Sequence, residues 1–431
     1  MHPSFPPSRL WTVLWLIFAF SGVATGQSLP DPASTIAEVL DSHPGVRRAQ
    51  YKVEAAEALL SGSRAQPNPT LTVSAVAGDP EESANSLIQA FEISGQPRLR
   101  HEQAQAQLEA AQLELRSTRR RIAGEVYGGW LDLWETQHLA VLADLRMELM
   151  REMVRVTKRR YEVGEIPQNE SLRVELAAAE AEADQRKARA AYDAAVRSLA
   201  VLRGGSAPVD ETPLPAPTSN APEDWRTLFD GPALSTDEGA WTLEQALTSA
   251  EGQLEVAALR QEQRASELAA QLIGKERAPQ LGLSLYRSTF TGSNYEQGAQ
   301  LSISWPLFDW GGVSSRQRAQ EANAKAQGAE IEERVLGFRR EVANLWNQWQ
   351  AARAVRDILL AQAERYEELA REARIGYDLG MLTLTDVLQT ERDFRQAGVQ
   401  LIQAQAEIRR LELSLLEKTN LPWPSQLLEE R

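Results

Sequence analysis

No cysteine occurs among the 431 residues, which excludes disulfides, thiolate metal sites, iron–sulfur clusters and a cysteine nucleophile. Histidine is nearly as scarce. His2, His43, His101 and His138 are scattered, and none has the spacing of a metal-ligand pair. Basic charge is also short, with 46 Lys and Arg against 60 Asp and Glu, a net charge of -14 and a pI near 5.0. No basic run is longer than the triplet Arg119, Arg120 and Arg121, too little to neutralise a phosphate backbone. Phosphate loops of the GxGxxG and GxxxxGK[ST] kinds and the GxSxG nucleophile turn do not occur. The plentiful acids, such as Glu364 and Glu368, recur at helical spacing as solvated faces do. Met147, Met150 and Met153 share a helix stripe and read as adaptable packing rather than a soft-metal ladder. No catalytic residue, metal site or cofactor is therefore assigned, and the chain is read as a non-enzyme. What is present, 43% hydrophobic residues and 11 Trp, is the composition of an ordered protein.

Residues 1–26 carry a single charge, Arg9, then an apolar run from Leu10 to Phe20 and small residues ending in Ala24, Thr25 and Gly26. This pattern predicts a cleaved secretory signal peptide. The apolar run is too short to cross a bilayer core of about 30 Å as a helix. No cysteine follows it that could be acylated, and no later segment reaches 18 consecutive apolar residues. An exported chain without a membrane-spanning helix is expected.

Sliding the chain on itself by 216 residues sets Glu125 on Glu341, Trp130 on Trp346, Tyr161 on Tyr377, Gly164 on Gly380, Leu172 on Leu388 and Leu199 on Leu415, without a gap. Upstream the offset is 210, setting Pro69 on Pro279 and Leu71 on Leu281, and the same offset sets Ile93 on Ile303 and Ser94 on Ser304. The unit is far longer than a solenoid repeat. The expected organisation is a first repeat over 27–203, a Pro-, Ser- and Thr-rich equatorial linker over 204–240, a second repeat over 241–420 and a tail over 421–431.

Each repeat reads as helix, two strands, very long helix, turn, helix. Ile331, Val335, Phe338, Val342, Leu345, Trp349 and Ala352 step by alternating fours and threes, a heptad seam. Leu142, Leu145, Leu149, Met153 and Val156 make a similar stripe in the first copy. No proline interrupts either stretch, so long helices over about 98–161 and 314–376 are predicted. Strands are predicted over about 69–77, 87–94, 280–290 and 296–306, where Leu281, Leu283 and Leu285, or Leu301, Ile303 and Trp305, alternate with small polar residues. One apolar and one uncharged polar face suit a membrane barrel with water inside. The same alternation also suits a soluble sheet on a core. Four strands cannot close a barrel, so a membrane reading requires several chains to share one. Trp305, Phe308 and Trp310 fit either an interfacial aromatic belt or packing under the sheet.

With these features together, the chain resembles the TolC-type outer-membrane efflux channels over about residues 36–420. The marks are the paired turns YEVGEIPQNESL and YDLGMLTLTDVL, with Tyr161, Gly164, Tyr377, Gly380 and Asp386. The SGQPR segment after the second strand and the chain's end near Asn420 look most like the subgroup that exports cobalt, zinc and cadmium. The resemblance implies a mostly α protein that forms a homotrimer, with a helical barrel in the periplasm and a shared twelve-strand β-barrel in the outer membrane. It further implies a periplasmic adaptor docked at the turns, an inner-membrane pump reached through that adaptor, and passive conduction of heavy-metal cations. It implies a pore gate at Asp386 as well. Gln389 stands where the family carries a second acid and Leu382 where it carries a basic residue, which implies a less tightly locked closed state. Read from local chemistry alone, Asp386 is a helix-start acid and Gly164 and Gly380 are helix caps. A channel for organic compounds or secreted proteins, and a soluble periplasmic coiled-coil scaffold, are the competing readings.

Overall fold

The computed structural model describes residues 29–76, 79–204, 242–289, 295–421 and 423. The expected signal peptide, most of the expected linker and nearly all of the tail lie outside the described residues. The chain runs α1 (Pro32–Ser42), α2 (Pro44–Gly62), β1 (Thr70–Val76), β2 (Asp79–Glu92), α3 (Gln96–Glu162), α4 (Gln168–Leu202), α5 (Leu243–Glu251), α6 (Leu254–Gly274), a 3₁₀ turn (Lys275–Arg277), β3 (Gln280–Thr289), β4 (Tyr295–Ser304), α7 (Gly312–Asp378) and α8 (Leu384–Lys418). It is a mostly helical protein with one four-stranded antiparallel sheet. Helices α3 and α7 are each 67 residues and α4 and α8 each 35, all offset by 216. At 1.5 Å per residue the longer pair extends about 100 Å. No described helix is long and apolar enough to cross a membrane.

Two compact units divide the chain, and each draws on both sequence repeats. Among the described residues, those within 44–119 and 247–340 form one; those within 29–43, 120–204, 242–246 and 341–423 form the other. In the first of these, α2 lies along the start of α3, with Lys52 Nζ 2.5 Å from Glu114 Oε1. Arg100 donates to Glu92 Oε1 at 2.8 Å and to the carbonyl of Ala65 at 2.8 Å, fixing the end of β2 to the chain entering β1. In the second copy Arg316, the counterpart of Arg100, pairs with Glu276 in the turn that enters β3. Buried Ala49, Ala56, Ala104, Ala106, Ala110, Ala258, Ala265 and Ala324 let these helices approach closely.

The sheet order is β1-β2-β3-β4. Its register places Phe91, Leu281 and Ile303 in one row, Gln89, Leu283 and Leu301 in the next, and Leu71, Leu87, Leu285 and Ala299 in a third. A fourth row, Val73, Asn85, Arg287 and Gln297, is mainly polar. Alternate positions, including Thr72, Ser86, Ser284, Ser302 and Gln300, make the opposite face. The apolar rows are largely uncovered among the described residues: Leu71, Leu87, Leu283, Leu285, Leu301 and Ile303 are all exposed, and Phe91 and Leu281 are half-buried. Neither do the aromatics after β4 pack beneath the sheet, since Trp305 is 62%, Phe308 78% and Trp310 95% exposed. Trp310 sits at φ 48°, held between Gly311 at φ 82° and Asp309, whose carboxylate accepts from the Gly311 amide at 3.0 Å and pairs with Arg277 at 2.9 Å.

The register corrects one equivalence drawn from the sequence. Both hairpins must superpose as pairs: Thr70 faces Ile88 and Gln280 faces Ser304. With β1 offset from β3 by 210, as α2 is from α6 at their starts, β2 is offset from β4 by 216, the value that also holds for the helices that follow. The six-residue step thus falls in the hairpin turn. Ile88, not Ser94, is the counterpart of Ser304, and Ile93 does not match Ile303. Sequence identity at two positions had concealed this, because strands of one face repeat the same residue types every second position.

In the other unit, α3 packs with α4, and α7 with α8. The seam proposed for α7 is buried at Ile331, Phe338, Val342 and Trp349, of which Ile331 and Phe338 belong to the first unit described. The first-copy stripe differs. Leu142, Leu145, Leu149, Met153 and Val156 are only half-buried, and the covered edge is Val141, Ala143, Met147 and Met150. Polar cross-links explain the rotation: Arg146 reaches Asp184 at 2.5 Å, and Asp144 accepts from Gln185 at 2.7 Å and Arg189 at 3.1 Å, so α4 is clamped against that side. Met147 and Met150 pack with Ala181, Ala177, Ala178 and Leu388, an ordinary core contact for methionine.

Candidate functional site

The two turns are built alike for a backbone reason. In each, the amide just past the glycine bonds five residues back and the glycine amide bonds three back: Glu165 to the Arg160 carbonyl at 2.9 Å and Gly164 to Tyr161 at 2.9 Å; Met381 to Gly376 at 2.8 Å and Gly380 to Tyr377 at 3.0 Å. This is the Schellman closure, which satisfies orphan helix carbonyls and needs a left-handed residue. Gly164 at φ 78° and Gly380 at φ 70° supply it. Both tips therefore have defined shapes rather than loose loops, and they expose Tyr161, Val163, Leu379 and Met381 to solvent.

The turns also touch each other. Arg160, last but one before Glu162 on α3, lies 5.4 Å from the centre of the Tyr377 ring and donates to Glu165 at 3.2 Å. At the equivalent position the second copy has Gly376, where an added Cβ would sit 2.8 Å from Leu382. Leu382 folds into that space. Of the four turn residues singled out in the sequence, Tyr377 is brought against the other turn, while Tyr161 stays exposed.

The helices leaving the turns start differently. Pro167 precedes α4 and offers no side-chain cap. Thr383 and Asp386 instead form a reciprocal capping box at the start of α8: the Asp386 amide donates to Thr383 Oγ1 at 3.3 Å, and Asp386 Oδ2 accepts from the Thr383 amide at 2.9 Å and hydroxyl at 2.7 Å. The hydrogen bonds from Thr383 hold the Asp386 carboxyl below the ordinary carboxylate range. Both bonds fall on Oδ2, so Oδ1 remains free for water or a cation. Gln389, one turn further on the same exposed face, donates to Asp393 at 2.9 Å and not to Asp386.

A ladder of cross-links joins α4 to α8 behind this start. Arg173 donates to Thr385 at 2.5 Å, Arg392 to Glu180 at 3.1 Å, and Arg395 approaches Asp184 at 3.5 Å. Sequence reading missed the ladder, since nothing in one dimension says which of many acids faces which arginine. The capping box was readable, because Thr-x-x-Asp before an apolar residue is its signature. Among the described residues no three metal-ligating side chains gather.

A profile of the family described as "Outer membrane efflux protein" matches residues 35–205 and 245–420, both repeats. The outer membrane efflux protein BepC of Brucella suis is 24% identical over 344 residues, covering 75% of this chain and 68% of that protein. Among solved structures, the outer membrane protein VceC of Vibrio cholerae superposes with a TM-score of 0.68 at 17% identity, covering 90% of this chain and 95% of that one. CusC, solved in work on transmembrane channel formation, gives 0.69 at 15% identity, covering 93% and 95%. The two structural likenesses span nine-tenths or more of the chain.

Proposed function

Because this chain belongs to the outer membrane efflux protein family, we propose that it works as the exit duct of a tripartite efflux system, assembled as a homotrimer around one shared barrel. It resides in the outer membrane, extends into the periplasm and conducts passively, with no reaction of its own. The observation that carries the assembled form is the sheet. Among the described residues its three apolar rows are largely uncovered and its outer strands have no second neighbour; the exposed face suits lipid, but the open edges are not stable there. Adaptor docking at the turns rests on the exposed apolar residues at two defined tips, Val163 and Met381 above all; such clusters mark surfaces a partner covers. Through the adaptor the duct would meet an inner-membrane pump.

For cargo we favour heavy-metal cations, on the likeness of the SGQPR segment to the cobalt, zinc and cadmium subgroup. Deleting the chain from its host should sensitise cells to these metals. Sensitisation to organic compounds alone would reassign the cargo and leave the duct standing. A soluble monomer found by light scattering, with no heat-dependent change in gel mobility, would remove the duct as well.

The gate reading places Asp386, with Gln389 beside it, on the lumenal side of the tips, where symmetry copies would ring the pore and attract cations. A carboxyl whose folded pKa is depressed keeps its charge above the ordinary carboxylate value and loses it only as pH falls below that value. In planar bilayers, block by multivalent cations should therefore persist through mildly acid pH. Asp386→Asn keeps an acceptor for Thr383 but removes the charge, and it should weaken the block at neutral pH with α8 intact. Unchanged block in this variant would take Asp386 out of the pore.

A further inference from the structure

The four strands together contain a single basic residue, Arg287. It lies on the face that carries the apolar rows, in the row next toward the hairpin turns, with Asn85 on one side and Gln297 on the other. Arg287 and Gln297 are exposed. The Asn85 Oδ1 atom is shielded from solvent and has no hydrogen-bond partner among the described residues, a costly state for an acceptor. The first repeat has no such cation, since Ala77 stands where the offset of 210 would place Arg287. The fold itself therefore does not require an arginine here.

The height of this row can be counted on β4. Gln297 and the exposed Trp305 are both odd-numbered and eight residues apart. That is about 27 Å along a strand, or about 20 Å along the membrane normal at a barrel tilt of 35–45°. An apolar band is roughly 25 Å tall, and the long arginine side chain spans the remainder. With Trp305 at the boundary beside the helices, Arg287 stands at the opposite boundary, where a charge costs little. The chain leaves the sheet for its helices at Thr70, Glu92, Gln280 and Ser304, so the row of Arg287 is at the far, external end.

We propose that Arg287, Gln297 and Asn85 form a rim site for the phosphorylated sugar headgroup of the outer-leaflet glycolipid, lipid A. The Arg287 guanidinium takes a phosphate, the Gln297 amide nitrogen adds a donor, and a sugar hydroxyl donates to Asn85 Oδ1. This rests on the reading of the sheet as part of a membrane barrel and deepens it by naming the lipid at its outer rim. Continuity with the apolar rows decides the class of ligand. An anionic head at Arg287 leaves acyl chains lying over Leu285 and Leu87, one row nearer the membrane centre, which a free phosphate would leave unused. Position at the external boundary selects the glycolipid over the phospholipids of the inner leaflet, and its phosphate monoesters carry more charge than a phosphodiester.

The test titrates purified lipid A into the full-length protein in non-ionic detergent, with EDTA present so that no metal bridges phosphate to a carboxylate. The readout is the temperature at which the heat-labile oligomer dissociates on a gel. Lipid A should raise it saturably, and Arg287→Gln should increase the half-saturating concentration about tenfold or more. Asn85→Leu should increase it by a smaller factor. Arg318→Gln, which removes an exposed arginine of α7, should leave it unchanged. Dephosphorylated lipid A should not stabilise the oligomer. Identical titrations of Arg287→Gln and the unaltered protein would overturn the site, and phosphatidylglycerol acting as well as lipid A would overturn the choice of lipid. If Arg287→Gln failed to assemble, an unchanged titration of Asn85→Leu would overturn the site instead. An unaltered protein that stayed monomeric in every lipid would overturn the barrel reading as well.

Discussion

Replacing Leu283 with Arg is expected to abolish most outer-membrane assembly, while a lysine at the adjacent Ser284 is tolerated. Leu283 occupies the middle of the three apolar rows, with Gln89 on one side and Leu301 on the other, and Ser284 points to the opposite face between Ile88 and Gln300. Rows lie about 7 Å apart along a strand, so the three of them extend about 14 Å and form the central part of an apolar band roughly 25 Å tall. An arginine at the centre of such a band costs about 2–4 kcal/mol, repeated in every copy of a symmetric assembly. A lumenal lysine meets water instead, and its effect belongs to conductance and ion selectivity. The measurement is the heat-labile oligomer recovered from the outer-membrane fraction. If both variants assembled equally well, the row containing Leu283 would not face lipid, and the sheet would have to be covered by protein.

Much of this fold is legible because long helices announce themselves. Sixty-odd residues without proline and with apolar steps of three and four admit few alternatives, and the two copies check each other. Which side of a helix is covered is less legible where alanine and half-apolar positions surround it: the α3 stripe from Leu142 to Val156 lost to an edge containing Met147 and Met150, since Asp144 and Arg146 were needed for cross-links to α4. Strand equivalence failed for a different reason. A period of two cannot distinguish a shift by an even number of residues, and only the pairing of Thr70 with Ile88 fixed it. At the tips, the glycine caps and the place of Asp386 at a helix start followed from local chemistry, while its pairing with Thr383 in a capping box was not read. Arg160 over Tyr377 did not, because that contact joins residues more than two hundred apart through the packing of four helices.

The same limit applies to a deeply buried ion pair on α8. Arg409 and Glu412, one turn apart on α8, have side chains only 5% and 8% exposed, and Arg409 Nη1 donates to Glu412 Oε2 at 2.8 Å. The other Glu412 oxygen accepts from the Trp349 indole at 3.2 Å, which ties α7 to α8. Nearby, burial raises the pKa of the Tyr127 hydroxyl well above its ordinary value, with Arg409 lowering it and Glu412 raising it by smaller amounts. Removing one member of such a pair leaves the other charged in a place without water, at a cost of about 3–5 kcal/mol, whereas replacing both by apolar side chains of similar volume is often close to neutral. Glu412→Ala should therefore lower the unfolding free energy in detergent by about that amount, and Arg409→Met with Glu412→Leu should recover most of it. The comparison separates charge from packing: a double variant as unstable as the single one would mean that the Trp349 hydrogen bond and the shape of the carboxylate, not the pairing of charges, hold α7 against α8. A Glu412→Ala loss well under 1 kcal/mol would instead mean that the remaining interactions of Arg409 hold its charge, and the pair would then be dispensable to the fold.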